Sequence, residues 1–128
     1  LETKISSTRQ LHGSMVRLQQ ILLNFFRNAL DVFEESHTSS PIIKIEVREL
    51  NNQIVIHFED NGPGIPPEHR NRIFEPFFTT KPPGKGTGIG LALCFELAAR
   101  EGGLISLGDS TMGGAAFDVT LPLEKTEP

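Results

Sequence analysis

The sequence has few of the features that mark secreted, membrane-spanning or nucleic-acid-binding proteins. Its single cysteine, Cys94, cannot form an intramolecular disulfide, so nothing requires an oxidising compartment. No apolar run approaches the roughly 18 residues of a membrane span, and no basic segment followed by an apolar one marks a signal peptide. The net charge of −4 and the pI near 5.5 argue against a general nucleic-acid binder.

The remaining composition is that of one ordinary globular domain. The 128 residues are too few for two typical domains but enough for one core, and 38% of them are hydrophobic. The first residue is leucine rather than methionine, so we expect the chain to be a piece of a longer protein.

Hydrophobic periodicity predicts helices interleaved with hairpins in a single domain over 1–128. The predicted elements are an edge strand or arm over 1–13, a helix over 15–35 with Ser14 as N-cap, strands over 42–50 and 53–59, a helix over 89–100, strands over 104–108 and 116–121, and a frayed tail over 124–128. This order predicts an α+β two-layer sandwich, with about five mostly antiparallel strands packed on about three helices.

One face of the first predicted helix carries an unusual set of polar side chains. At 100° per residue, about 80° of arc contains Gln20, Asn24, Asn28 and Asp31. Asparagine is a poor helix former, so two of them one turn apart suggest side-chain oxygens directed at a ligand. Amide oxygens suit a hard cation such as Mg²⁺. The alternative is the ordinary solvated face of an amphipathic helix.

Residues 62–90 hold six of the twelve glycines and six of the nine prolines, and they carry a net charge of +2. Such a segment favours an anion held by backbone N–H groups, although a long surface loop explains the composition equally well. At its end, GKGTGIGL (84–91) runs into the second helix, where a phosphate can bind. Its glycine spacing fits neither a dinucleotide motif nor a P-loop, and a flexible hinge is the alternative.

Two other segments admit both a structural and a functional interpretation. DNGPG (60–64) is good turn sequence, but the carboxylate of Asp60 could also accept a hydrogen bond from an exocyclic amino group. IFEPFFTTK (73–81) fits either a hydrophobic cluster beneath a loop or one anchor of a mobile lid. The four histidines show no metal-like spacing, and Cys94 is predicted to be a small core residue.

These segments, in this order, resemble the catalytic ATP-binding domain of bacterial sensor histidine kinases, which belong to the Bergerat (gyrase, Hsp90, histidine kinase, mismatch-repair) superfamily. The matching motifs are LQQILLNFFRNALD (18–31) for the N box, DNGPGI (60–65) for the G1 box, FEPFFTTK (74–81) for the F box, GKGTGIGLAL (84–93) for the G2 box and GGAAFDVTLP (113–122) for the last glycine motif. The match covers about residues 18–122, and it implies the Bergerat fold.

The resemblance implies a role for each matched residue. Asn28 would ligate Mg²⁺, Asn24 would lie close to it and the phosphates, and Asp60 would recognise the adenine amino group. The implied catalytic residues are Asn24, Arg27 and Lys81. The implied ATP-binding residues are Asn28, Asp31, Asp60, Gly62, Gly64, Ile65, Phe74, Lys81, Lys85, Gly86, Thr87, Gly88, Ile89, Gly90 and Leu91, of which the lysines and residues 86–90 would form a lid over the phosphates.

The resemblance also implies ATP and Mg²⁺ as cofactors, with transfer of the γ-phosphate to a histidine on a separate dimerisation domain. Relatives that hydrolyse ATP have a glutamate where this chain has Asn24, which cannot accept a proton at neutral pH. We therefore expect ATP to be held for transfer rather than rapidly hydrolysed. None of the histidines lies in the H-E/D-x-x-x-P phosphoacceptor pattern, so we expect the dimerisation domain to be absent and the chain not to autophosphorylate alone.

Two departures from the family pattern affect these expectations. Asp31 stands where many members have lysine, so we expect Arg27 or the lid lysines to neutralise the γ-phosphate. Ala115 stands where a threonine is common, which puts a hydroxyl contact there in doubt. The R-N-A-L-D pattern resembles the nitrogen-regulation and dicarboxylate-sensing subgroup.

The implied partners are the histidine-bearing dimerisation domain of the same parent protein and the receiver domain of a response regulator, with no nucleic acid. We expect a homodimeric parent, either free or membrane-anchored, a monomeric piece and a cytoplasmic location. The alternatives are a non-catalytic nucleotide-binding module that signals to a partner and a serine kinase of the anti-sigma type.

Overall fold

A computed structural model describes residues 2–5, 15–76, 78 and 90–123. In chain order the elements are β1 (Glu2–Ile5), α1 (Met15–Ser36), β2 (Ile43–Leu50), β3 (Gln53–Asp60), a 3-10 turn (Pro67–His69), α2 (Gly90–Arg100), β4 (Leu104–Leu107) and β5 (Ala116–Pro122). The predicted α+β class is confirmed. Both predicted helices and all four hairpin strands end within one residue of their predicted bounds, while the proposed cap Ser14 lies outside the described residues.

The five strands form one sheet in the order β1-β2-β3-β5-β4. β1 pairs with β2 in parallel, and the other three pairs are antiparallel. Asn51 and Asn52 connect β2 to β3 with positive φ values of 53° and 63°, the conformation of the two-residue turn that matches the twist of a hairpin. The sheet therefore joins two local hairpins through the β3–β5 pair, which places the end of β3 beside the start of β5.

The core lies between the sheet and the two helices. Alternate residues of β3 and β5 face the helices, and α1 covers them with side chains spaced three or four residues apart. Phe25 of α1 lies at the centre, with its ring stacked on Phe117 at 4.8 Å and tilted against Phe58 at 5.3 Å. The core residues of these three elements are Leu18, Ile21, Phe25, Ala29, Phe33, Ile54, Ile56, Phe58, Phe117, Val119 and Leu121.

The opposite side of the sheet, which we call the outer face, carries the alternate residues of the same strands. By the strand register, this face includes Lys44, Glu46, His57, Glu59, Asp118 and Thr120. The polar character of the outer face explains why the strands read as a clean alternation in the sequence.

α2 packs against α1 and against β4 and β5. Cys94 lies on its buried side with 0% exposure, which confirms its predicted place in the core. The helix ends where Gly102 and Gly103 donate backbone hydrogen bonds to the carbonyls of Ala99 and Ala98 at 3.0 and 2.8 Å. In the part of the chain that the structure describes, neither helix is long and apolar enough to cross a membrane.

Candidate functional site

Asp60 is a buried carboxylate at the end of β3, with 5% exposure. Its Oδ1 accepts backbone hydrogen bonds from Gly62 at 2.9 Å and Ala115 at 3.1 Å. Burial raises the pKa of Asp60, the two N–H donors lower it, and the neighbouring charge of Glu59 raises it again, so the net direction is upward. Its Oδ2 forms no hydrogen bond with another described residue, which leaves that oxygen for a ligand.

The turn after Asp60 fits between α1 and the loop that precedes β5. A Cβ at Gly62 would lie 3.1 Å from Cγ1 of Val32, so this position is pressed against α1. Gly64 has a φ of +83°, and a Cβ there would lie 3.0 Å from the carbonyl oxygen of Gly113. A Cβ at Gly62 would also lie 3.2 Å from Asp60 Oδ1, whereas a Cβ at Gly64 would press on the backbone of Gly113 and Gly114, which explains why the sequence has glycine at both positions.

The loop from Gly108 to Ala115, which we call the β4–β5 loop, forms one wall of this region. Ser110 Oγ accepts hydrogen bonds from the N–H groups of Met112 and Gly114, both at 3.1 Å, and folds the loop into a compact turn. A Cβ at Gly114 would collide with the carbonyl and carboxylate oxygens of Asp60. The Ala115 contact to Asp60 comes from the backbone, so the alanine found where threonine is common does not remove it.

The other end of the candidate site lies where α1 meets the start of α2. Asn24 Nδ2 donates to the Gln20 carbonyl at 2.9 Å, and a Cβ on Gly90 would lie 3.0 Å from Asn24 Oδ1. Asn24 and Val32 are eight residues apart, which corresponds to about 12 Å along a helix. The polar stripe of α1 therefore connects the Gly90 end with the Asp60 end.

The residues of the polar stripe differ in how far they are exposed to solvent. Asn24, Asn28 and Asp31 are half-buried, whereas Gln20 and Arg27 are exposed. Asn28 forms no side-chain hydrogen bond with another described residue. Only part of the stripe is therefore an ordinary solvated face of an amphipathic helix.

Apart from Arg27, Asn28 and Asp31 on the polar stripe of α1, the predicted site residues fall into three groups. The structure brings Asp60, Gly62 and Gly64 together at one end and Asn24 and Gly90 together at the other. The residues that pack against the core as partly buried side chains are Ile65, Phe74 and Leu91. The residues that lie outside the described part of the chain are Lys81, Lys85, Gly86, Thr87, Gly88 and Ile89.

The phenylalanine-rich segment packs as a hydrophobic cluster. The Phe74 ring lies 5.5 Å from that of Phe95 and 6.3 Å from that of Phe117. The Phe78 ring contacts His69 edge-on at 5.3 Å, and the Arg72 guanidinium lies 4.8 Å above it. These contacts favour the cluster interpretation for the described part, while Phe77 and the remainder of the predicted lid lie outside it.

Sequence reasoning missed a buried network beside Asp60. Glu59 is 0% exposed, and its carboxylate accepts hydrogen bonds from Thr111 Oγ1 and His57 Nε2, both at 2.5 Å, and from Thr111 N–H at 3.2 Å. His57 Nδ1 lies 2.6 Å from Asp118 Oδ1. The alternation of β3 indicates only that His57 and Glu59 lie on the face opposite Ile56 and Phe58, and the Ser110-Thr111 pair is ordinary turn sequence that gives no sign of a contact with Glu59.

The charges in this network stabilise one another. Burial alone would lower the pKa of His57, but its hydrogen bonds to Glu59 and Asp118 outweigh burial and raise the pKa above 6.5. Burial would raise the pKa of Glu59, but the donors from Thr111 and His57 outweigh it and lower the pKa. The favoured state is thus an imidazolium between two carboxylates, since only that form donates from both ring nitrogens.

Asn61, which was also not predicted as a site residue, fixes the turn from the other side. Its Oδ1 accepts the Ile42 N–H at 2.7 Å, and its Nδ2 donates to the Ser40 carbonyl at 3.0 Å. The asparagine of the DNG sequence therefore ties the turn to the segment between α1 and β2.

Residues 13–125 match the family described as histidine kinase-, DNA gyrase B-, and HSP90-like ATPase. The chain is 39% identical over 117 residues to the two-component sensor PprA of Pseudomonas aeruginosa, with 88% of this chain and 12% of that protein covered. It is 36% identical over 112 residues to the C4-dicarboxylate transport sensor protein DctB of Rhizobium meliloti, with 88% and 17% covered. The chain thus spans less than a fifth of the length of these two relatives.

Two solved structures have a fold similar to that of this chain. Full-length ShkA in complex with AMPPNP matches with a TM-score of 0.78 and 30% identity, over 99% of this chain and 26% of ShkA. The mycobacterial sensor histidine kinase MprB matches with a TM-score of 0.77 and 26% identity, over 98% of this chain and 83% of the MprB chain.

Proposed function

The chain belongs to the histidine kinase-, DNA gyrase B-, and HSP90-like ATPase family, and on that basis we propose that it is the catalytic domain of a sensor histidine kinase. It binds Mg·ATP and transfers the γ-phosphate to a histidine on a separate dimerisation domain. The observation that carries the proposal is the pairing of two sites along α1. A buried carboxylate with an available oxygen lies at one end, and Asn24 faces the start of α2 at the other.

Asp60 recognises the base in this proposal. Its Oδ1 is held by two backbone donors, so Oδ2 is the oxygen available to the adenine amino group. Gly62 keeps a side chain away from Asp60 and Gly64 keeps one off the neighbouring Gly113 backbone, which leaves room for a flat ring in this proposal. Ile65 and Phe74 contribute apolar surface from the core side.

Asn28 is the residue proposed to hold Mg²⁺. Asn28 is half-buried on the polar stripe of α1, and its side-chain amide forms no hydrogen bond within the described residues, so its oxygen suits a hard cation. In the described part of the chain, no group of three or more His, Cys, Asp or Glu side chains is placed to hold a metal ion. Such an ion would take its other ligands from phosphates and water, and when bound it would neutralise phosphate charge.

The residues near the phosphates are proposed to orient ATP rather than to hydrolyse it. Asn24 faces the start of α2, where a helix N-terminus favours an anion. Its amide cannot act as a general base, so water is not activated at this position. Arg27 is exposed on the same stripe, and with Lys81 and Lys85 it would offset the charge of the transferred phosphoryl group. Asp31, half-buried one turn beyond Arg27, is proposed to line the same site.

The proposed partners are the dimerisation domain of the parent protein and the receiver domain of a response regulator. The sensor names of the relatives support this assignment. A finer assignment to the nitrogen-regulation and dicarboxylate-sensing subgroup is supported by the R-N-A-L-D pattern (27–31) and by the 36% identity to DctB.

The test is phosphotransfer in a mixture of the chain, labelled ATP, Mg²⁺ and the dimerisation domain of the same parent. We expect acid-labile label on a histidine of that domain. Asn28→Ala should abolish the labelling, while Gln19→Ala, which removes an exposed amide from the same helix, should leave it unchanged. Acid-stable label would indicate a serine kinase instead, and bound ATP without transfer would indicate a non-catalytic module; either result overturns the proposal.

A further inference from the structure

Two consecutive carboxylates are buried at the end of β3. In the described part of the chain, Glu59 and Asp60 are the charged residues that are buried over their whole surface, backbone and side chain together. Neighbouring residues of a strand point to opposite faces, so Asp60 lies on the helix side and Glu59 on the outer face. A buried carboxylate is unfavourable unless it receives hydrogen bonds. The residues that donate to Glu59 therefore explain how a carboxylate can be buried at this position.

The partners of Glu59 mark it as an anchor for the β4–β5 loop. Both of its oxygens are occupied, one by the Thr111 hydroxyl and backbone N–H and the other by His57. Neither carboxylate oxygen of Glu59 is therefore left to bind a ligand. The loop that supplies Thr111 lies over the outer end of β3, and Glu59 consequently has no exposed surface.

The same loop also contacts Asp60, through residues that follow Thr111 in the chain. Ala115 donates to Asp60 Oδ1 at 3.1 Å, and Gly114 lies against the Asp60 backbone. Ser110 Oγ bonds to the N–H of Gly114, so the Thr111 end and the Ala115 end of the loop form a single hydrogen-bonded unit. A displacement of Thr111 is therefore transmitted to the donor that orients the Asp60 carboxylate.

We propose that Glu59 and Thr111 are positioning residues that hold the β4–β5 loop in register and thereby aim Asp60 Oδ2 at the adenine amino group. This inference rests on the proposed function, in which Asp60 reads the base. Neither residue contacts the nucleotide. Their effect is on base selectivity, because only a purine that carries the amino group benefits from a correctly aimed Oδ2.

The test compares Mg²⁺-bound ADP with purine riboside 5′-diphosphate, which lacks the amino group, by calorimetry on the 128-residue chain. The wild-type protein should prefer ADP. Thr111→Val keeps the shape of the side chain and removes the hydroxyl, and we expect it to weaken ADP binding about tenfold. Binding of the analogue should hardly change, so the preference for ADP should largely disappear. Thr111→Ser retains the hydroxyl and should restore the preference.

Thr120→Val is the matched control. Thr120 lies on the same outer face, in β5, and it has no part in the Glu59 network. The same substitution there should leave the preference for ADP as it is in the wild type, even where it lowers thermal stability.

The possible outcomes distinguish a failure of the positioning role from a failure of the proposed function. If Thr111→Val keeps the wild-type preference for ADP, the positioning role is overturned and the proposed function remains intact. A wild-type protein that binds both diphosphates equally overturns the role of Asp60 and the positioning role together. If Thr111→Val does not fold, Glu59→Gln makes the same comparison with the carboxylate charge removed, and an unchanged preference in that variant likewise overturns the inference.

Discussion

Asp60 and Ala115 are joined by two hydrogen bonds of opposite direction: Asp60 N–H donates to the Ala115 carbonyl at 3.0 Å, and Ala115 N–H donates to Asp60 Oδ1 at 3.1 Å. The backbone of Ala115 thus bonds to both the backbone and the side chain of Asp60 and closes the end of the β3–β5 pair. The carboxylate secures the sheet through Oδ1, and in our proposal it has a second function, ligand binding, through Oδ2.

Asp60→Asn should separate these two functions. The amide oxygen can still accept from Gly62 and Ala115, so we expect the fold to persist with a stability change of at most about 1 kcal/mol. The amide NH₂ in place of Oδ2 would face the adenine amino group donor to donor, and ADP affinity should fall roughly ten- to a hundredfold. Calorimetry measures this loss, and Asp109→Asn, at an exposed position of the neighbouring loop, is the control. Undiminished affinity in Asp60→Asn would show that Asp60 does not contact the nucleotide.

Gly114→Ala should be more destabilising than Gly113→Ala, although both add one methyl group to the same loop. A Cβ at Gly114 meets the Asp60 oxygens, and relief of such overpacking costs about 2 kcal/mol. Gly113 has open space around its Cβ position, but its φ of +81° adds strain of about 1 kcal/mol for an L-residue. Urea unfolding of the two variants checks the order, and equal losses would contradict the close contact at Gly114.

The hairpins and helices were predictable because each depends on local patterns. Alternation defined β2 and β3, the Asn51-Asn52 pair defined their turn, and the periodic apolar face defined α1. The burial of Glu59 was not predictable, because it results from Thr111, 52 residues later in the chain. The role of Asn61 was hidden for the same reason, since its partner Ile42 precedes it by 19 residues.

The site itself was predicted only in part. Residue types pointed to Asp60 and to the asparagines of α1, but their relation in space depends on how α2 meets Asn24 and how Gly62 meets Val32. Contacts between elements of this kind leave no period in the sequence. The parallel pairing of β1 with β2 is a further example, because four residues of β1 carry too little pattern to indicate a partner.

Stability should decrease above neutral pH because of His57. Its pKa is raised in the folded state, so the folded protein holds this proton more tightly than the unfolded chain. The resulting stabilisation is complete below the unfolded pKa of about 6.5 and is lost as the pH rises through the higher folded value. The groups that face His57 are Glu59, Asp118 and its β2 neighbour Glu46, which is paired with Lys44 at 3.1 Å.

Urea midpoints measured from pH 6 to pH 9 test this dependence. The wild type should lose stability across the range, and His57→Gln, which cannot titrate, should show a flatter profile. The other histidines are common to both proteins, so their contribution cancels in the comparison. Parallel profiles for the two proteins would contradict a protonated His57 in the folded state.

Cys94 should be unreactive in the folded protein. Burial raises its pKa to about 12, and the thiol has no exposed surface between α1 and α2. Iodoacetamide at pH 8 should label the chain only after urea is added. Rapid labelling of the native protein would show that the α1–α2 contact is open.

The most direct test of the account is a crystal structure of the chain with Mg²⁺ and a non-hydrolysable ATP analogue. The account predicts the adenine amino group within hydrogen-bonding distance of Asp60 Oδ2, about 2.7–3.2 Å. It also predicts the phosphates at the opposite end of the polar stripe, where Asn24 faces the start of α2. A nucleotide bound away from α1, or bound with its phosphates at Asp60, would contradict it.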